Sequence, residues 1–148
     1  MRYSFQRRVP FGHVDGAAIV YYPRYFEWFH DAFEAMFEPV VGAPYAQVVA
    51  EHGVGYPAVQ GACEYRAPAR WGDLLTVEVF LSRLGARSAT FEYRIRRDDV
   101  LCATASIKIA TMSMEEKRGV PMPEDVRAAF APYLEAEDGE LPDTSRIR

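Results

Sequence analysis

Apolar and polar positions change period along this chain, and each change marks an element. Residues 2–9, RYSFQRRV, set Tyr3, Phe5 and Val9 among polar neighbours, close to the alternation of a half-buried strand. A loop with one carboxylate, Asp15, follows. Pro23 then stands where helices start well, because its missing N–H costs nothing in a first turn. From it, PRYFEWFHDAFEAMF carries apolar residues at 25, 26, 29, 32, 33, 36 and 37, with Arg24, Glu27, Asp31 and Glu34 opposite. Trp28 widens the apolar stripe, so the helix is expected to be buried over most of its girth. It is expected to end near EPVVGAP, where Pro39 and Gly42 oppose continuation. Residues 45–52 read as a short second helix.

After Gly53 the period falls to two. GYPAVQGACEYRAP is one strand, with a bulge or bend expected at Gly61. LLTVEVFLS puts Leu75, Val77, Val79 and Leu81 on one face. SATFEYRIRR turns Phe91, Tyr93 and Ile95 inward and Glu92, Arg94 and Arg96 outward. The acidic pair in RRDDV marks a hairpin. LCATASIKIATM, apolar on one face and small on the other, reads as a central strand. MPEDVRAAFAPYL is a terminal helix with acids in its first turn. The layout is strand, long helix, then four antiparallel strands: an α+β arrangement of one helix wrapped by a curved sheet. Residues 1–134 read as a single domain. The tail 135–148, EAEDGELPDTSRIR, is polar without an apolar period and is expected to be mobile.

Composition narrows the function classes. At 148 residues, 49% hydrophobic, the chain is long enough for a real core. A formal net charge of -4 argues against a nucleic-acid binder, which needs a basic surface. No stretch approaches a membrane span, and no apolar run follows the basic N-terminus, so a cytoplasmic location is expected. Cys63 and Cys102 sit in apolar strand patterns and read as buried thiols, a disulfide being the other reading. No Cys/His spacing suggests a metal.

The chemistry centres on FGHVDGAAIVYYPRYFEW. Asp before small residues is commonly a turn residue. Yet AAIVYYP offers no competing polar group, so a desolvated and therefore more basic carboxylate is expected. The first turn of the long helix lies seven residues on, and unpaired N–H groups near Tyr22 suit a developing oxyanion. His13 shares the side of Asp15 if the segment is extended, and is a candidate partner; a solvent-facing loop histidine is the plain alternative. His30 lies on the polar flank of the helix, either lining an acyl pocket or serving as a hydrogen-bonded interior or interface histidine. Arg87, Lys117 and Arg118 follow strand or turn signals, where they suit phosphates or simply face water.

These residues resemble a known family. FGHVDGAAIVYYPRYFEWFHDAF is similar to the signature of the 4-hydroxybenzoyl-CoA thioesterase family of hotdog-fold enzymes: an Asp, a small residue, an apolar stretch, an aromatic, Tyr-Pro and an aromatic helix. YRAPARWGDLLTVEV resembles the family's approach to its third strand, and KRGVPMPEDVRAAF, more weakly, the segment before its last helix. The likeness runs from residue 3 to about 134.

The resemblance implies a hotdog fold, with a long helix wrapped by about five antiparallel strands, paired into homodimers and often into tetramers. It implies hydrolysis of acyl-CoA thioesters without metal or cofactor, CoA being part of the substrate. Asp15 matches the essential carboxylate and Tyr22 the backbone N–H that polarises the thioester carbonyl. Arg87-Ser88 and Arg118 match positions that contact CoA phosphates in some members. Two positions depart: His13 stands where many members have an acid or hydroxyl, and Ala18 where many have glycine. The acyl group is left open; the aromatic density of YYPRYFEWF suits an aryl group or plain core packing. Other readings are a carrier-protein thioesterase and a non-catalytic acyl-CoA-binding protein on the same fold.

Overall fold

The computed structural model describes residues 1–136, so most of the tail expected to be mobile lies outside the described residues. Strand β1 (Tyr3–Arg8) leads into the Asp15 loop and helix α1 (Arg24–Val41). Helix α2 (Tyr45–His52), strands β2 (Val54–Gly55) and β3 (Ala58–Tyr65), and the long strands β4 (Leu74–Leu84), β5 (Ser88–Arg97) and β6 (Val100–Ala110) follow. A two-residue strand β7 (Met112–Ser113) and helix α3 (Glu124–Phe130) complete it, the latter continuing into a 3-10 turn, Ala131–Tyr133. The main sheet has the order β1-β4-β5-β6-β3, antiparallel throughout. The β2–β7 ribbon is too short to leave a periodic signal.

Helix α1 lies in the concave face of this sheet. Trp28, Phe29, Ala32, Met36 and Phe37 are fully buried, at the spacing of one helical stripe. They meet the inward residues of the strands, among them Val77, Phe91, Tyr93 and Ile95. Phe33 and Phe37 cross Tyr45, Phe91 and Phe130 edge to face, with ring centres 4.9 to 5.7 Å apart, arrangements that favour aromatic quadrupoles. The helix ends where expected, within EPVVGAP: Pro39 lies in its last turn, and Gly42 stops it at φ 102 by donating to Phe37 and Glu38.

One expectation needs correction. The irregularity in β3 falls between Ala58 and Gln60, not at Gly61. Glu92 and Arg94 point to the outer face as expected, and are 1% and 0% exposed there. Glu92 accepts hydrogen bonds from Ser82 and Ser106, and Arg94 and Arg2 lie over the Phe80 ring at 5.0 and 4.1 Å. The Glu135 N–H donates to Leu81 at 2.9 Å, and its carboxylate accepts from Arg2 at 2.7 Å.

No helix of the described residues is long and apolar enough to cross a membrane, and Cys63 and Cys102 are both free.

Phe37→Ala is expected to lower the unfolding free energy by about 3–5 kcal/mol in urea titrations, because the rings around it cannot close the cavity. Ala18 adopts a left-handed φ of 62, which a Cβ disfavours. Ala18→Gly is therefore expected to leave stability unchanged or raise it by up to about 1 kcal/mol. A clear drop in the same titration would show that the turn carries no strain.

Candidate active site

The Asp15 loop is a small closed ring of backbone bonds. Val14 and Val20 bridge antiparallel, the Asp15 N–H donates to Ile19 at 2.9 Å, and the Ala18 N–H donates to Asp15 at 3.0 Å. One carboxylate oxygen, Oδ1, accepts the Ala17 N–H at 2.8 Å, an Asx turn. Asp15 thus fills its structural role with one oxygen, and Oδ2 has no protein partner among the described residues. The carboxylate is exposed in the single chain, so the expected desolvation by the AAIVYYP segment does not occur within one copy. Of that segment only Val20 is buried in the core, while Ala17, Ala18, Tyr21 and Tyr22 are themselves exposed.

The loop is also tied to its surroundings. Ile19 bridges Arg70, the Val20 N–H donates to Ala69 at 2.8 Å, and the Tyr21 N–H donates to His13 at 2.9 Å. His13 does not act as the ionic partner of Asp15. Its ring stacks on buried Trp28, 5.7 Å between centres, with Nδ1 buried and unpartnered. Burial, then the positive charges of Arg24 and Arg7, lower its pKa against the weaker pull of Glu27 and Asp31. The ring is held neutral, and the residue's contact with the loop is through its carbonyl.

Tyr22 stands just before the helix cap, Pro23. The Tyr21 carbonyl accepts the Arg24 N–H at 2.9 Å. In a trans planar peptide the next N–H points the opposite way, so the Tyr22 N–H is aimed away from the helix. It has no acceptor among the described residues, and Tyr22 is 63% exposed. Beside it lies a hollow of about 380 Å³, lined by Ile19, Tyr22, Tyr25, Tyr65 and Ala67. Farther along α1, a larger apolar cleft of about 610 Å³ is lined by Phe26, His30, Phe33, Tyr45 and Met112. His30 borders this cleft but is exposed rather than interior, with Nε2 at 2.8 Å from a Glu34 carboxylate oxygen.

The basic residues do not join Asp15 and Tyr22. Arg97, ending β5, donates to Pro68 beside the Asp15 loop. Ser88 begins the same ten-residue strand, so it stands at the opposite end, roughly 30 Å away along the sheet. Arg87 is exposed, and its side chain has no ion pair among the described residues; its carbonyl accepts from Thr111 at 3.0 Å. Arg118 belongs to the same end, through the Ser113 N–H on its carbonyl, but its guanidinium is engaged by Glu116. Lys117 is exposed in a left-handed turn.

Sequence reasoning gave Tyr65 no role. Its hydroxyl donates to the Tyr22 carbonyl at 2.9 Å, and its ring meets those of Tyr22 and Tyr25. The only signal was an aromatic residue at the start of YRAPARWGD.

A family model of the thioesterase-like superfamily matches residues 9–130. An acyl-CoA thioesterase of Haemophilus influenzae is 27% identical over 128 residues, covering 86% of this chain and 93% of that protein. The 4-hydroxybenzoyl-CoA thioesterase of a Pseudomonas species is 28% identical, covering 82% and 92%. Among solved structures, a gentisyl-coenzyme A thioesterase superposes with a TM-score of 0.79 at 26% identity, over 87% of this chain and 100% of that one. An Asp-to-Asn variant of 4-hydroxybenzoyl-CoA thioesterase, complexed with 4-hydroxybenzoyl-CoA, gives 0.81 at 24% identity over 88% and 99%, a likeness of fold. With its helix in a five-stranded antiparallel sheet, the chain belongs to the thioesterase-like superfamily, and it is a hotdog-fold thioester hydrolase.

Proposed function

We propose that the protein hydrolyses the thioester bond of an acyl-CoA carrying a small acyl group, aryl groups among them, with Asp15 as the working acid. The observation that carries this reading is an exposed carboxylate with one oxygen free, on the same short segment as an exposed N–H that has no acceptor. The thioester oxygen accepts the Tyr22 N–H, and negative charge grows there as the carbonyl carbon is attacked. One such donor contributes about 3 kcal/mol in hydrolases. Asp15 Oδ2 either attacks the carbon itself, giving a mixed anhydride that water then cleaves, or takes a proton from the attacking water. In both routes the C–S bond breaks and CoA leaves as its thiol. The aromatic walls near Tyr22 and Tyr25 suit a flat acyl group. The names of the similar proteins, acyl-CoA thioesterases and aryl-CoA hydrolases, support the same class.

The distribution of charge supports a site shared between two copies. In one chain, Arg87, Ser88 and Arg118 are a strand length from Asp15. Strand β3 is an open sheet edge with Val59 57% exposed. Antiparallel pairing of two β3 strands about a two-fold axis sets the Tyr65 end of one beside the Ala58 end of the other. Arg87 and Ser88 of a second copy then approach the Asp15 loop of the first, where they meet the phosphates of CoA. His30 borders the apolar cleft and contributes to the acyl surroundings; His13 supports the loop.

Asp15→Asn is expected to lower kcat at least about 100-fold while the fold is kept, read by thiol trapping of released CoA across an acyl-CoA panel. Undiminished hydrolysis would remove Asp15 from the mechanism. Arg87→Glu is expected to raise KM at unchanged kcat. Mixing unfolded and refolded Asp15→Asn with Arg87→Glu is expected to recover about a quarter of wild-type activity at low substrate, since each mixed dimer holds one intact site. No recovery above the separate variants would show that both residues serve from one chain.

A further inference from the structure

Resting on the reading of Tyr22 as the oxyanion donor, we propose that Tyr65 is a positioning residue that clamps Tyr22 and so aims its backbone N–H at the thioester oxygen. Tyr22 is held from two sides. On its N-terminal side, the Tyr21 carbonyl is fixed by the Arg24 N–H at 2.9 Å, which sets the plane carrying the Tyr22 N–H. On its C-terminal side the backbone offers only a long bond. The following residue is Pro23, which has no N–H, and the Tyr22 carbonyl accepts from Tyr25 only at 3.4 Å. The Tyr65 hydroxyl supplies the short bond, 2.9 Å.

Where this hydroxyl comes from explains why it holds still. Tyr65 ends β3 and pairs with Ala103 of the central strand β6, so its backbone belongs to the sheet rather than to the helix. Its ring stands edge to face with Tyr25, 5.0 Å between centres, and with Tyr22 at 6.3 Å. The bond therefore couples the helix start to the sheet across 43 residues of chain. Burial raises the phenol above its ordinary range and raises the neighbouring Cys63 thiol to about 11. Both remain protonated at neutral pH, so the phenol donates to Tyr22 without competition from a thiolate. An Asp15 variant loses the working carboxylate; a Tyr65 variant should keep that carboxylate and substrate binding, and lose only alignment of the donor.

The test is Tyr65→Phe, which keeps the ring and removes the hydroxyl. With the acyl-CoA that the wild type turns over fastest, kcat is expected to fall about ten-fold with KM within about two-fold. In ¹⁵N-labelled protein, the Tyr22 amide resonance is expected to shift while the unfolding midpoint stays close to wild type. Unchanged kcat, or a loss of kcat with the Tyr22 resonance unmoved, would overturn the proposal. A wild-type protein inactive on the whole panel would overturn the acyl-CoA reading instead, and the Tyr22 resonance would still report on the clamp.

Discussion

The burial of α1 against the sheet is the constraint on which the rest of the molecule depends. A helix with Trp28, Phe29, Met36 and Phe37 fully removed from water has one rotational setting about its axis. Side chains interlocked at native density do not slide by a fraction of a turn without opening voids. That setting decides where the unused Tyr22 N–H before the helix points. The site thus takes its precision from apolar packing many residues away, and its own polar bonds have only a short segment left to fix.

That segment, residues 13 to 22, is fixed by one bond within itself and by contacts to two other parts of the chain. The His13 carbonyl holds Tyr21, residues Ala69 and Arg70 hold Ile19 and Val20, and Tyr65 holds Tyr22. The strand leading out of the site, β5, carries Arg97 at the near end and Ser88 at the far one. In the proposed mechanism one chain supplies both the acid and the N–H donor, while its CoA-facing candidates stand a full sheet length away. The open edge of β3 is the geometric answer to that separation in the proposed dimer.

Most of the architecture was legible in the sequence because each element carries its own period. The stripe from Tyr25 to Phe37 reads as a buried helix, and the alternation from Leu75 to Leu81 and Phe91 to Ile95 as strands. Local pattern does not carry tertiary context. Pro39 and Gly42 marked the helix end, but alternation that sets Glu92 and Arg94 outward cannot reveal that Phe80, Ser82, Ser106 and Arg2 roof that outer face. Asp15 and Tyr22 could be singled out from residue type and spacing. The partners of His13 and Tyr65 could not, since Trp28 and Tyr22 reach them only through the fold.

The Asx turn at Asp15 explains why the position holds an aspartate. Its side chain is the right length for Oδ1 to close a ring onto the Ala17 N–H, which leaves Oδ2 facing outward. A glutamate carries the same acid on one more methylene, too long to close that ring and with another torsion to order. The shorter acid makes one oxygen a fixed strut of the loop and presents the other at a set angle. In the proposed mechanism, rigidity and reactivity are thereby divided between two atoms of a single carboxylate.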